Sequence, residues 1–191
     1  MTRLGRNVPP VLAALLASLM LWSAATLAQA TPETFAATAT VKRGGASTTA
    51  PLSVTITRYS SDDERDAVMA AVRAGGSTAV HRALASAKDA GFIQLGERRT
   101  TIKFVRQRPT PSGRLLTIVT ADPILFVGAA LPDAPKRDGF DVAVAMLDLD
   151  GGKLSGELVP AAKVGVDPNG ALLIEDYGAT VVWVSPAAPR H

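Results

Sequence analysis

The stretch Phe140 to Leu149, "FDVAVAMLDL", limits the possible folds more than any other part of the chain. Apart from Asp141 and Asp148, every residue in it is apolar. Successive side chains of an extended chain point to opposite faces, so both faces of this strand need cover. The Asp150-Gly151-Gly152-Lys153 that follows is a hairpin turn, which pairs the strand with the next one antiparallel. A flat sheet with one wet face cannot satisfy such a strand. A sheet that curls into a barrel, or a strongly bent sheet packed on helices, can.

Other segments supply the partners. In "LSVTITRY", 52–59, Leu52, Val54 and Ile56 share one face while Ser53, Thr55 and Thr57 share the other, the period-two pattern of a half-buried strand. Further strands read at 35–41, 92–95, 100–108, 114–120, 124–127, 153–164, 171–174 and 180–184, with a polar loop at 131–139. The period changes once. Ser61-Asp62-Asp63-Glu64 is a capping box with acids in the first helical turn. A helix is predicted from 62 to about 74, stopped by Gly75-Gly76, and a second, capped by Ser77, from 78 to about 88. The predicted class is α+β: a mainly antiparallel β-sheet, barrel-like or strongly bent, with a two-helix insertion after the second strand.

The beginning of the chain reads as an address. Arg3 and Arg6 precede an uncharged apolar run, "VLAALLASLMLW", and "AQA" at 28–30 offers small residues to a signal peptidase. The run is shorter than the ~20 residues of a spanning helix. The expected organisation is a cleaved signal at 1–30, one β-rich domain at 31–185 and a loose tail at 186–191. The destination is periplasmic or secreted, with no stable membrane span after cleavage. The chain has 20 basic and 17 acidic residues; losing Arg3 and Arg6 leaves 18 against 17, too even a balance to argue for a polyanionic partner. The cysteine count is zero, which excludes disulfides, thiolate catalysis and cysteine-based zinc sites.

"SDDERDAVMAAVRAGG", "GFIQLGERRTTIKF", "RLLTIVTADPIL" and "IEDYGATVV" together resemble an uncharacterised family of small secreted bacterial proteins, a domain of unknown function. The resemblance implies export and a single domain. It implies no activity, cofactor or partner.

Few residues invite chemistry. "RRTTIKFVRQR", 98–108, holds five cations. Strict alternation puts Thr101, Lys103, Val105 and Gln107 on one face and Ile102, Phe104 and Arg106 on the other. The stretch reads first as a solvated edge strand whose charges deter edge-to-edge pairing. As a ligand site, Arg98, Arg99, Lys103 and Arg106 would meet an anion or anionic surface. Nucleic acid is excluded by the small basic excess and the lack of interleaved aromatics. Trp183 reads first as core, by the area it would bury, and second as a stacking platform at a barrel mouth. Tyr177, in a turn, is the more exposed aromatic. His81 lacks the serine and acid companions of a triad, and one usable histidine makes no common zinc site. Asp148, Asp150 and Glu157 lack the spacing of a calcium loop.

No catalytic residue, metal or cofactor is therefore assigned. The leading expectation is a non-enzymatic binding domain that holds a small apolar or amphiphilic molecule inside a β-barrel. The alternatives are an envelope protein that contacts, or acts as an inhibitor of, another protein, and a carboxylate-dependent hydrolase built from two of Asp148, Glu157, Glu175 and Asp176.

Overall fold

The computed structural model describes residues 31–43, 45–124, 138–176 and 181–188. Among them the chain forms nine strands and one helix: β1 (Glu33–Arg43), β2 (Ala46–Ile56), α1 (Asp62–Ser86), β3 (Gly91–Leu95), β4 (Arg98–Thr110), β5 (Gly113–Thr120), β6 (Val142–Asp150), β7 (Lys153–Val166), β8 (Leu172–Asp176) and β9 (Val182–Pro186). From β1 to β7 each strand pairs antiparallel with the next. β9 then pairs with β7 on one side and β1 on the other, closing an eight-stranded barrel. At Gly156 (φ 141) β7 passes so close to β6 that an added Cβ would collide with the Met146 carbonyl oxygen. β8 stands outside the ring, paired with the far half of β7. The expected strand at 124–127 and the loop at 131–139 lie mostly outside the described residues.

An eight-stranded barrel is just wide enough for side chains to fill, and here they fill it. Leu52, Val54, Ile56, Ile93, Leu95, Ile102, Leu116, Ile118, Leu147, Leu154 and Leu158 form one buried cluster. Alanines at 37, 39, 143 and 145 complete it, so small residues on β1 and β6 balance large ones elsewhere at ordinary interior density. Branched aliphatic side chains thus occupy the space in which the sequence reading places a ligand.

The double-faced stretch is explained by a second core. On β6, Ala143, Ala145, Leu147 and Leu149 point inward. Val142 and Val144 point outward, where they join Phe104, Val119, Ala162 and Val164 beneath Val72, Val80 and Leu84 of α1. The cover ends there, and Met146 on the same outer face is 43 % exposed.

The helical segment Asp62–Ser86 occupies the place of the expected pair. It is opened by the capping box of Ser61 and Glu64 and kinked at Gly75 and Gly76, whose dihedral angles are not helical, at the position where the sequence predicts a break. Gly76, at φ 57 and ψ −145, adopts a conformation that suits glycine alone, and a Cβ there would lie 3.2 Å from the Val164 carbonyl oxygen. Ser77, expected as a cap, instead faces β7. Its hydroxyl accepts from the Val164 N–H and donates to the Val164 carbonyl at 3.3 Å. Val164 lies beyond the last β7 residue paired with β6, Ala162, so the serine stands in for a strand. A straight helix of 25 residues would span ~37 Å. Both ends of this one are held by residues three apart on β4, a separation of ~10 Å. Arg106 bonds Asp62 and Lys103 bonds the Ala87 carbonyl. Arg58 joins the ends directly, forking onto Glu64 at 2.8 and 2.9 Å and reaching the Lys88 carbonyl at 2.7 Å.

β4 departs from strict alternation. A bulge between Ile102 and Phe104 shifts its register against β5. Ile102 therefore packs inside the barrel, while Phe104 joins the outer core. The strand is also no edge: β3 and β5 flank it, and beyond β3 the Ser60 N–H and hydroxyl bond the Val105 backbone at 2.8 and 3.1 Å.

One end of the barrel carries a polar plug. Arg114 pairs with Glu33, donates to Gln107 at 2.6 Å and to the Tyr59 hydroxyl at 3.0 Å, and Tyr59 donates to Glu33 at 2.9 Å. Burial would raise the Glu33 pKa, but the bonds from Arg114 and Tyr59, with the charge of Arg114, hold it below the ordinary 4.5. Burial and the bond to Glu33 push Tyr59 up to about 12. The Arg58 fork likewise holds Glu64 below 4.5, against burial and with help from the Ser61 N–H.

Two predictions follow from these contacts. Gly76→Ala is expected to cost about 1–3 kcal/mol in urea unfolding, because alanine cannot take up the break without strain. Glu33 and Glu64 have depressed folded pKa values, so the stability they contribute is complete above 4.5 and lost as pH falls through the folded values. The unfolding midpoint should drop between about pH 5 and pH 3, with part of that slope gone in Arg114→Met, which also costs about 1–2 kcal/mol at neutral pH. An acid slope identical in the two proteins would refute this assignment.

Candidate ligand groove on the barrel wall

The cations singled out from sequence are dispersed. Arg99 stacks on the Phe92 ring with its guanidinium carbon 3.4 Å from the centroid. With Arg98, Thr100 and Pro123 it borders a shallow recess of about 360 Å³. Lys103 donates to the Ala87 carbonyl at 3.1 Å and to Asp89 at 2.8 Å, fastening the end of α1. Arg106 donates to the Ser60 carbonyl at 3.0 Å and to Asp62 at 2.9 Å, fastening its start. The middle of the basic stretch thus clamps the helix to the barrel.

Trp183 is not core. It is 52 % exposed on the outer wall, between Thr40 of β1 and Glu157 of β7. Tyr177 lies outside the described residues. His81 is half-buried on α1 with no bonded acid or hydroxyl among the described residues. None of the proposed carboxylates, Asp148, Glu157, Glu175 and Asp176, borders the recess at Arg99. Asp148 and Glu157 lie on the barrel wall opposite Ser155 and Met146, and Glu175 faces Lys163 at 4.0 Å.

Among the described residues an apolar concavity lies on the outside of the barrel. Between α1 and the outer faces of β4 to β8 runs a groove of about 460 Å³, within the ~300–1,000 Å³ typical of small-molecule sites. Phe104, Thr117, Val119, Val144 and Met146 form its floor. Val68, Met69 and Val72 of α1 line it on one side, and Val164, Leu172 and Ile174 of β7 and β8 line it on another. The groove exists because the two ends of α1 are pinned to β4 and its middle to β7, while β8 adds a wall that the barrel itself does not need.

Strand register grades this surface. Phe104, Val119 and Val144 make one row across β4, β5 and β6. The next row is Arg106, Thr117 and Met146; the one after is Arg108, Leu115 and Asp148. Alternate residues on a strand are ~6.8 Å apart, so polarity rises from Phe104 to Arg108 over roughly 14 Å. Arg65, Arg106 and Arg108 line the groove, and no carboxylate appears among its described lining residues. Of the residues singled out from sequence only Arg106 is present. Phe104, Met146 and Arg108 are the additions.

Among the described residues no helix is long and apolar enough to cross a membrane. No protein-family model, curated protein or solved structure matches the chain, so the comparisons place it in no family.

The wall position of Trp183 is checked by fluorescence. In a Trp22→Phe protein, where Trp183 is the sole tryptophan, emission should be red-shifted as in water and strongly quenched by acrylamide. A blue, protected emission would contradict the exposed placement.

Proposed function

We propose that the chain is an exported, non-enzymatic binding module, periplasmic or secreted, whose ligand is a small amphiphile held in the outer groove. One observation carries this reading: an apolar trough bordered by arginines lies outside a barrel whose interior is filled with side chains. The packed ring provides a stiff floor, and the trough offers aliphatic and aromatic surface with cations at one end of its β4 rows. None of the four carboxylates considered for hydrolysis lines the groove, so a binding role fits it better than a hydrolytic one.

Binding by apolar contact has a measurable signature. Each methylene buried contributes about 0.8 kcal/mol, roughly fourfold in affinity. Titration of the purified protein with saturated chains of increasing length should show this stepwise gain and then a plateau when the groove is full. Thr117→Trp, which puts a bulky ring on the floor at a strand position that tolerates aromatics, should weaken binding by at least about tenfold, a loss of ~1.4 kcal/mol, without shifting the urea midpoint. Affinity independent of chain length and unaffected by Thr117→Trp would refute the groove as the site.

A protein partner is the second reading, favoured by Trp183, a large aromatic left 52 % exposed on the barrel wall. Cross-linking in intact cells distinguishes it: a specific protein adduct lost in Trp183→Ala favours contact through the wall.

A further inference from the structure

We infer that the groove selects a single-chain amphiphile with an anionic head, and that Arg108 is the residue that reads the head. The inference rests on the groove-binding reading and adds the ligand's charge and its orientation.

Three arginines line the groove, and two are already committed. Arg65 is bonded to Asp62 at 3.3 Å and Asp66 at 2.8 Å. Arg106 is bonded to Asp62 at 2.9 Å and to the Ser60 carbonyl at 3.0 Å. Asp62 thus serves both, and both hold the first turn of α1. Arg108 is exposed and has no hydrogen bond or ion pair among the described residues. The carboxylate nearest along its row is Asp148, on β6 beyond Leu115, two strand spacings or ~9.5 Å away. The lining therefore has one uncommitted charge, and it is positive.

Its position gives that charge a purpose. Arg108 sits at the polar end of the graded rows, ~14 Å along β4 from Phe104. A chain laid over Phe104, Val119 and Val144 would emerge past Thr117 and Leu115 with its head beside the Arg108 guanidinium. A carboxylate, sulfate or phosphate head gains a charge-assisted, forked pair of hydrogen bonds there. A cationic head meets repulsion from Arg108, and an uncharged head gains little. The ligand is a monomer in solution rather than a bilayer: a groove walled by both α1 and β8 admits a chain lengthwise and offers little flat surface.

The test uses purified protein and three probes with twelve-carbon chains, each kept monomeric in solution: dodecanoate, dodecanol and dodecyltrimethylammonium. By calorimetric titration dodecanoate should bind about tenfold tighter than dodecanol, the scale of one hydrogen bond to a charged group, and dodecyltrimethylammonium more weakly than dodecanol. Arg108→Gln should erase the advantage of dodecanoate and leave dodecanol unchanged. Arg73→Gln, an exposed helix position outside the lining, should alter neither. Equal binding of all three probes would overturn the inference while leaving the groove reading standing, and failure of every probe to bind would overturn both. Flotation of the protein with anionic phosphatidylglycerol vesicles, without uptake of monomeric dodecanoate, would place its affinity on a lipid surface and overturn the inference as well.

Discussion

The ring closes through five residues. β9 contributes its backbone to β1 at four positions and to β7 at three, with Trp183 bonded into both ladders. Without that short strand β1 and β7 would each present an unpaired edge, and the interior aliphatic cluster would open to water along the gap. Closure abolishes the edges, fixes the width of the interior, and makes the volumes of opposing side chains interdependent. The small residues on β1 and β6 make sense only inside a ring of this circumference, where Leu and Ile from the other strands reach across to them.

The outer core depends on the inner one. α1 buries Val72, Val80 and Leu84 against strands whose opposite faces are already locked inside the barrel. Its attachments are polar and local: Arg58 to Glu64, Arg106 to Asp62, Lys103 to Ala87 and Ser77 to Val164. These contacts set how far the helix stands from the wall, and that distance makes a groove where a flush interface would otherwise form.

Much of the scaffold was legible in the sequence because the barrel obeys a strict period of two. The two apolar faces of 140–149, the alternation of 52–56 and the capping box at Ser61 all appear in place. What failed did so for identifiable reasons. Gly75-Gly76 announced a break that the dihedral angles bear out, but the Ser77 contact with β7, 87 residues away in the chain, left no local sign. The bulge in β4 was hidden because Ile102, Phe104 and Val105 are apolar on either side of Lys103, so no change of pattern marks the extra residue. Trp183 was readable and misjudged: Val182 and Val184 flank it and point inward, which sends the indole outward whatever area it offers to bury. The groove had no local signature, since it joins one helix to β4, β5, β6, β7 and β8, and no short window of sequence contains more than a fragment of it.

β8 lies outside the closed circuit, and this separates two properties that most small domains must satisfy with the same residues. Leu172 and Ile174 shape the groove, yet no strand of the ring relies on β8 for closure. Substitutions there can remodel what the trough accepts while the barrel keeps its register, so the chain carries an adjustable flank on a fixed frame. Descendants of such a protein could diverge in taste without first becoming fragile.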